Sequence, residues 1–482
     1  MIRAGLYTSG PMQLARPALS RRAVAVAVML ALTGLIAFEV CRIPVQVSDS
    51  LGNLLQVQRQ TLGEVFAGQF SNGAYVRPLL WAQIKLASDG ARGHETVLFK
   101  GIHVAQLLLL ALLALRLMPV RSRSESLAAM LAVLVLFGIH TFDGLVREAF
   151  PINSFLTIAL CVLVVLALAD GEPAWWRDLA AAVTFALAIL TIESGVLVAA
   201  ATVCAWLVGM RGISMKGTGI VVLALAAYLL IRFAVLDTGT PSLSERASGF
   251  GFHVLEPDDL VTRFGSNPLP FYLYNVVSSL VTVLLAEPRG GVWYAAHGVA
   301  AGQWWPAWLW VNVAASVVTT GLVLCAAPIA VARWRAASAG RHERLLLVAI
   351  AVLGANAVVS FGYTKDVIMS SGGVCFALAV YAATAILLDG TTRRVARTAQ
   401  AAVVLGLALW TVRVTALPLR LEMQAGRVRQ EWRDVDGWLE RQRIEVATPD
   451  ARALVTRLRR SALRGHPRSV EWTGWRTLLD LN

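Results

Sequence analysis

Long apolar runs with almost no charge are the feature that most constrains how this chain can fold. With its flanks, each run approaches the roughly 20 residues that a helix needs to cross a membrane. Backbone groups in lipid must bond within their own segment, and the runs lack the alternation of barrel strands, so they are predicted to be helices. The predicted fold class is therefore all-α, a polytopic integral membrane protein. Four of the runs are Ala23 to Ala37, Val104 to Leu117, Phe155 to Leu168 and Val374 to Leu388.

Composition and charge favour the same fold class. Hydrophobic residues make up 57% of the sequence and charged residues 15%, whereas soluble proteins carry about 25% charged residues. The net charge is +13, but the basic residues stand in short loops between the apolar runs. We therefore interpret them as topology signals, and expect the lipid bilayer rather than nucleic acid as a partner. The five cysteines lie in or beside apolar runs without a CxxC pair, which favours neither a zinc site nor a disulfide framework.

The arginines predict the orientation of the spans. The segment before the first run carries four arginines and no acid, so the N-terminus is expected in the cytoplasm. No small-x-small cleavage site follows this run, so an uncleaved first helix is expected. Counting onward gives about eleven spans in a bacterial-type inner membrane, and this odd number places the C-terminus in the periplasm. The predicted transmembrane module covers 1–417, with outer loops at 42–99 and 237–306, and the tail 418–482 is predicted to be helical and periplasmic.

Two apolar stretches do not fit a single membrane-spanning helix. The run from Leu179 to Met210 is too long for one span, so it is predicted to break at 191–195 into two helices. If the piece from Leu269 to Ala286 crossed the membrane, the arginines of 333–344 would lie outside. The positive-inside rule therefore favours a re-entrant or interfacial helix there. The tail is predicted to pack on the membrane surface or on the protein's own outer loops, because four apolar residues share one helical face: Val428, Trp432, Val435 and Leu439.

Five ionisable residues interrupt the apolar runs, where a charge is costly and usually has a partner or a role. Four of them are predicted to lie toward the outer side, which suggests a site there. The alternative is that they only pair among themselves, for example Glu193 with Arg232. His103, in the second helix, is expected to make an interhelical hydrogen bond. The five residues are Glu39, His103, His140, Glu193 and Arg232.

Asp49 follows the first helix closely and stands between two serines. A carboxylate at the water–lipid boundary can act as a general base toward a substrate hydroxyl. The alternative is that Asp49 caps a helix that begins near Leu51. Arg77 also has two interpretations, because arginine is suited to bind phosphate while Arg77-Pro78 is a typical helix start. Both pairs of alternatives stay open at this level.

The order of segments and several short motifs resemble the GT-C fold of membrane glycosyltransferases. The similarity is to bacterial protein-mannosyltransferase-like chains and to the lumenal O-mannosyltransferases that carry tetratricopeptide repeats, and it covers roughly Ala23 to Leu388. Thr141 stands where the family has the proline of a His-Pro pair, and Ile192 where it has the lysine of a Lys-Glu pair. Asp49 stands at the family's acidic motif, without a second neighbouring carboxylate. The other matching segments are Tyr75-Val76-Arg77-Pro78-Leu79, Phe137-Gly138-Ile139-His140-Thr141, Thr191-Ile192-Glu193-Ser194 and, more loosely, Tyr363-Thr364-Lys365-Asp366.

This resemblance implies a definite reaction. A sugar would pass, with inversion, from a polyprenyl-phosphate donor to a hydroxyl of a periplasmic glycan, lipid or protein. Asp49 would be the catalytic base, and cationic groups would stabilise the leaving phosphate. No cofactor is expected, and a tight divalent-metal site is not favoured because a single acidic residue stands at the key position. The candidates for binding the donor phosphate or the substrate are Arg77, His140, Glu193, Arg232, Arg263 and Lys365.

Two other functions remain open. A transporter or flippase of a lipid-linked sugar would show paired broken helices in two related halves, and no such symmetry is evident in the sequence. A non-catalytic membrane scaffold with the same fold would depend on its tail and would tolerate a change at Asp49.

Overall fold

The computed structural model describes most of the chain, and within the described residues every regular element is a helix. These residues are 16–70, 75–147, 151–238, 257–265, 267–287, 291–362, 364–444, 446 and 448–464, with side chains described from Arg22 onward. Among them, seven helices are long and apolar enough to cross a membrane, or nine if each of two bent pairs counts as one span. The chain therefore has the architecture of a multi-pass helical membrane protein.

The first half of the chain breaks its helices where polar residues interrupt the apolar runs. A 3₁₀ turn, Glu193–Gly195, separates α9 from α10, and this confirms the predicted break. The prediction that the third span ends at His140 is wrong, because α6 ends at Gly138 and a short helix replaces the expected turn. The helices are α1 (Arg16–Arg42), α2 (Asp49–Gln58), α3 (Leu62–Gly68), α4 (Pro78–Ala91), α5 (Glu95–Leu117), α6 (Arg123–Gly138), α7 (His140–Arg147), α8 (Ser154–Ala169), α9 (Trp175–Thr191), α10 (Val196–Leu207) and α11 (Met215–Leu230).

The second half ends in one very long helix. The prediction that the last spanning helix ends at Leu417 is wrong as to the helix, because α18 (Arg393–Arg433) continues through Pro418 to Arg433. Its polar half stays helical because Leu421, Ala425 and Val428 are buried against the rest of the bundle. The helices are α12 (Pro257–Phe264), α13 (Leu269–Leu285), α14 (Val292–Ala300), α15 (Ala307–Arg335), α16 (Arg341–Val359), α17 (Ser370–Asp389), α18 (Arg393–Arg433), α19 (Val435–Arg441) and α20 (Pro449–Leu463).

Helix α17 forms the centre of the bundle. Of its apolar stretch 94% is buried, against 11% for α11 at the periphery. It packs on α6, α15, α16 and α18, and its first turn is made of small residues. A Cβ on Gly373 would lie 2.1 Å from the hydroxyl oxygen of Thr141, so glycine there lets α7 approach α17 closely.

The helices meet at two ends, which we name by the aspartates found there. The Asp170 end gathers the arginine-rich loops, and ion pairs and hydrogen bonds join one loop to the next. Arg341 donates two hydrogen bonds to the Asp170 carboxylate from Nε and Nη2, at 3.0 and 2.8 Å, and a third to the carbonyl of Leu117. The other joining contacts are Arg344 to the carbonyl of Gly209, Arg333 to Glu343 and the carbonyl of Gly390, His342 to Glu125, and Ser124 to Asp389.

The opposite, Asp49 end is where α1 ends and α2 begins. The chain leaves the bundle at this end after α11 and re-enters it at the same end before α15, with α12, α13 and α14 in between. Asn275, early in α13, donates to the carbonyl of Phe361 just beyond α16, whereas Leu284 accepts a hydrogen bond from Thr320 near the middle of α15. Helix α13 thus runs from the Asp49 end to mid-depth of the bundle and stops. This geometry favours the re-entrant interpretation, which stays a prediction.

Candidate functional site

Three helix irregularities carry three of the predicted site residues. Helices α6 and α7 meet at a bend of 54°, and His140 is the first residue after it. Glu193 begins the 3₁₀ turn, and Arg232 lies in a π-helical turn, Ile231–Val235, that continues α11. Short 3₁₀ and π segments inside helices often mark functional positions, because they aim side chains and backbone groups away from the regular ladder. The irregularities therefore point to the Asp49 end as the candidate site.

The Glu193 cluster consists of Tyr75, Arg77, Glu193, Tyr228 and Arg232. Arg77 donates from Nε and Nη2 to the Glu193 carboxylate at 3.0 and 2.7 Å. Arg232 Nη1 lies 3.7 Å from Glu193 Oε1 and donates to the Tyr228 hydroxyl at 3.1 Å. The Arg77 guanidinium also lies 4.3 Å from the centre of the Tyr75 ring. Two guanidinium groups face one carboxylate, so the cluster keeps a surplus positive charge.

Pairing among the charges is confirmed in this cluster. Glu193 does pair with Arg232, as the structural alternative predicted, but Arg77 is the closer partner and was not foreseen. Arg77 also stands directly before α4 with Pro78 at its first position, so its helix-start interpretation is confirmed as well. The two interpretations of Arg77 are compatible, because its backbone begins the helix while its side chain reaches Glu193.

The Asp143 cluster consists of His140, Asp143, Arg147, Asp366 and Arg420. Arg147 Nε donates to Asp143 Oδ1 at 2.6 Å, and Arg420 Nη1 lies 3.5 Å from Asp143 Oδ2. His140 Nε2 lies 3.8 Å from Asp366 Oδ1. Asp143 is buried, and its two arginines offset the cost of burying its charge. Apart from the histidine, the cluster has two arginines and two aspartates, whose charges balance.

Sequence reasoning missed most of the Asp143 cluster. It treated the stretch after His140 as a turn, although Asp143 and Arg147 have the spacing of a helical ion pair. That spacing was the available signal. Arg413 of α18 was also missed, although a charge inside an apolar run should have been noticed. It is buried, lies 4.2 Å from the Trp410 ring and donates to the hydroxyl of Ser316 at 3.4 Å.

Asp49 is the first residue of α2, and its side chain is exposed. Ser48 occupies the cap position, and no side chain caps this helix, so the prediction that Asp49 is the cap is wrong. Among the described residues, its carboxylate has no hydrogen bond or ion pair. Its negative charge is favourable in the first turn of a helix, whose N-terminus carries a partial positive charge. Asp49 is thus an accessible carboxylate on a fixed backbone.

The segment that leads to Asp49 is held from both sides. Trp432, fully buried near the end of α18, donates from Nε1 to the carbonyl of Val45 at 2.6 Å. Arg429 donates to the carbonyl of Arg42 at 3.2 Å, and Gln46 donates to the carbonyl of Arg147 at 2.9 Å. The distal half of α18 therefore positions the Asp49 segment, and Gln46 connects it to the Asp143 cluster.

The remaining predicted residues lie outside these two clusters. Lys365 is exposed in the turn beside Asp366, and Arg263 is exposed on α12, whose Leu260 packs on Phe271 of α13. Glu39 lies at the Asp49 end and accepts from Arg42 at 3.0 Å. The prediction for His103 is wrong, because neither ring nitrogen finds a hydrogen-bond partner in the described part of the chain. Gln106, one turn further along α5, donates to the hydroxyl of Thr157.

Comparisons with protein-family models, with curated proteins and with solved structures give no match. Within the described residues, no group of three or more His, Cys, Asp or Glu side chains is arranged to hold a metal ion. The chemistry of the site therefore depends on three sets of its own groups. They are an accessible carboxylate, a cationic cluster and a buried charge network, all at one end of the bundle.

Proposed function

We propose that the chain is a membrane glycosyltransferase that moves a sugar from a polyprenyl-phosphate donor to a periplasmic acceptor hydroxyl. The observation that carries the proposal is Asp49, an exposed carboxylate closely after the first helix, without a hydrogen bond or ion pair among the described residues. The buried acids Asp143 and Glu343, by contrast, have cationic partners. An accessible carboxylate at the same end of the bundle as a cationic cluster is suited to general-base chemistry on a substrate that carries negative charge.

The proposed topology has eleven crossings, with the Asp49 end in the periplasm. Loops rich in arginine meet at the Asp170 end, which supports a cytoplasmic position for that end under the positive-inside rule. Helix α13 would be re-entrant from the periplasmic side. The C-terminal helices α19 and α20 would then lie in the periplasm, since α20 packs on the first turn of α5 through the ion pair of Arg457 with Glu95.

In the proposed reaction the acceptor hydroxyl gives its proton to the Asp49 carboxylate. The acceptor oxygen attacks the anomeric carbon, and the bond from that carbon to the phosphate oxygen breaks with inversion. The electron pair goes to the lipid phosphate, whose developing charge needs cations. Arg77 and Arg232 are suited to this role because Glu193 neutralises only one of their two charges. Arginine binds phosphate well through its planar set of donors.

The test compares cell-surface glycans by mass spectrometry in a deletion strain that expresses either the wild-type chain or Asp49→Asn. Loss of a general base reduces the rate by roughly 10²- to 10⁴-fold, so Asp49→Asn should fail to restore the missing sugar. Asp450→Asn is the matched control, because Asp450 is also an exposed aspartate in the first turn of a helix. Equal protein levels are checked by immunoblot. Full restoration by Asp49→Asn would refute the proposed catalytic role.

Transport of an intact lipid-linked sugar is a second candidate, favoured by the broken helices around Glu193 and Arg232. Discontinuous helices are typical of transporter binding sites. The discriminating measurement is movement of a lipid-linked sugar across proteoliposomes without any acceptor. If the Asp49→Asn variant moves the lipid-linked sugar as well as the wild type does, transport is favoured over sugar transfer. A scaffold without either activity would lose its function on deletion of the tail, 418–482, and would keep it in Asp49→Asn.

A further inference from the structure

A cavity of about 530 Å³ lies between the ends of α1 and α5 at the Asp170 end. Its volume is within the range of roughly 300–1,000 Å³ typical of ligand sites. It is remote from the residues of the Glu193 and Asp143 clusters, which lie at the opposite end of the bundle. The proposed reaction gives this cavity no role.

The cavity is lined by three arginines that come from three different elements. Arg22 begins the apolar part of α1, Arg116 lies in the last turn of α5, and Arg121 lies in the loop before α6. Arg116 approaches Asp170 only to 3.7 Å and is largely exposed. Among the described residues, neither Arg22 nor Arg121 forms an ion pair. The cavity is therefore strongly cationic, and no acid is among those lining residues that the structure describes.

The rest of the lining is apolar, and part of it lies deeper along the helices. Ala25 is about one helical turn beyond Arg22, and Leu112 and Leu115 are up to one turn before Arg116. Leu112 is 58% exposed, so the apolar part opens toward the lipid-facing surface of the bundle. Cations at the helix ends with an apolar floor beneath them match a molecule that has an anionic head and a hydrocarbon chain. A free phosphate or a nucleotide would leave the apolar floor without a partner.

We propose that this cavity binds an anionic phospholipid of the bilayer, such as phosphatidylglycerol. Its phosphate lies among the three arginines, and an acyl chain follows the groove between α1 and α5. Guanidinium groups recognise phosphate through paired hydrogen bonds, and basic pockets between membrane helices are suited to anionic headgroups. The proposal depends on the membrane character of the chain and is independent of the glycosyltransferase proposal.

Native mass spectrometry of the full-length protein tests this proposal. The protein, in a neutral detergent, is offered equal amounts of phosphatidylglycerol and phosphatidylcholine, and the ratio of the two bound lipids is measured. The cavity variant is Arg22→Gln/Arg116→Gln/Arg121→Gln. The control, Arg335→Gln/Arg394→Gln/Arg397→Gln, removes the same charge from exposed arginines at the same end outside the cavity. Each interfacial arginine contributes roughly five-fold in affinity, so the cavity variant should lower the ratio more than tenfold.

A second variant distinguishes a loss of lipid binding from misfolding of the triple variant. Leu112→Trp keeps every charge and fills the groove from an exposed position, so it should also lower phosphatidylglycerol binding while the control keeps the wild-type ratio. Equal ratios in the cavity variant and the control would overturn the proposal. Displacement of the lipid by millimolar inorganic phosphate, with no response to Leu112→Trp, would also overturn it. That result would assign the arginines to free phosphate.

Discussion

The two ends of the bundle use their charged residues in different ways. At the Asp170 end, Arg341 binds Asp170 with two donors, and Glu125 serves both the cap of α6 and His342. At the Asp49 end the helices bend or change type, and arginines outnumber the acid in the Glu193 cluster. Among the described residues, the Asp49 carboxylate has no hydrogen bond or ion pair. Outside the arginine-lined cavity, charge therefore joins the helices at the Asp170 end, whereas part of the charge at the Asp49 end stays unpaired.

The largest effect should come from exchanging an aspartate at either end. Asp170→Asn leaves the partly buried Arg341 without its ion partner, so it should lower the free energy of unfolding by about 2 kcal/mol. Glycan restoration, normalised to the amount of folded protein, should stay near wild type. Asp49→Asn should show the reverse, with normal stability and lost restoration. Thermal unfolding in detergent together with the glycan assay checks both, and the contrast between the ends fails if the two variants behave alike.

A smaller effect should follow at the contact between α18 and the Asp49 segment. Trp432→Phe removes the hydrogen bond to the Val45 carbonyl, which costs about 1 kcal/mol. A small displacement of a catalytic group can cost up to about 10²-fold, so kcat should fall roughly tenfold with KM little changed.

Trp410→Phe is the matched control for this variant. Trp410 is also a buried tryptophan of α18, but its Nε1 has no hydrogen-bond partner among the described residues. Its replacement should therefore spare kcat. An equal loss of kcat in both variants would show that α18 acts only through packing, and Asp49 would not depend on the Val45 contact.

The smallest effect is expected at two helix N-termini that are capped by the same pattern of hydrogen bonds. Thr61 and Glu64 cap α3 on an exposed surface, whereas Ser122 and Glu125 cap α6 at the Asp170 end, where Glu125 is buried. Thr61→Ala should speed amide hydrogen exchange only within α3, by roughly two- to five-fold. Ser122→Ala should lower the stability of the whole bundle. If Ser122→Ala, like Thr61→Ala, speeds exchange only within its own helix, the Asp170 end is not more tightly joined than the surface around α3.

The Thr61 cap should also respond to acid. Hydrogen bonds from the Thr61 backbone and side chain lower the pKa of Glu64. A carboxylate with a lowered pKa stabilises the fold above the ordinary carboxyl value, and this contribution is lost as the pH falls through the lowered value. Exchange within α3 of the wild type should therefore speed up in that acidic range, and Thr61→Ala should abolish the response.

Part of the site could be predicted because its signals are local. The break at Glu193 was visible because a charged residue interrupts an apolar run that is too long for one helix. The pairing of Glu193 with Arg232 followed from the cost of a charge in lipid. The role of Arg77 as its closest partner could not be predicted, because the two residues are 116 positions apart and nothing local joins them.

The end of α18 is a feature that local signals predicted wrongly. Hydropathy falls at Pro418, so the sequence predicts a helix end there. The helix continues because its buried face packs on the bundle, and packing outweighs the local preference of proline. The division into a module and a tail at this point stays a prediction.

The sequence by itself determined that this chain is helical and suited to lipid, because hydropathy and the spacing of charges act residue by residue along the chain. It also placed Asp49 closely after the first helix. Only the tertiary structure decided how Asp49 is held, because Val45 and Trp432 are 387 positions apart and meet through the packing of α18. The charge balance of the two clusters was likewise decided by the fold, since it depends on which distant helices meet at each end.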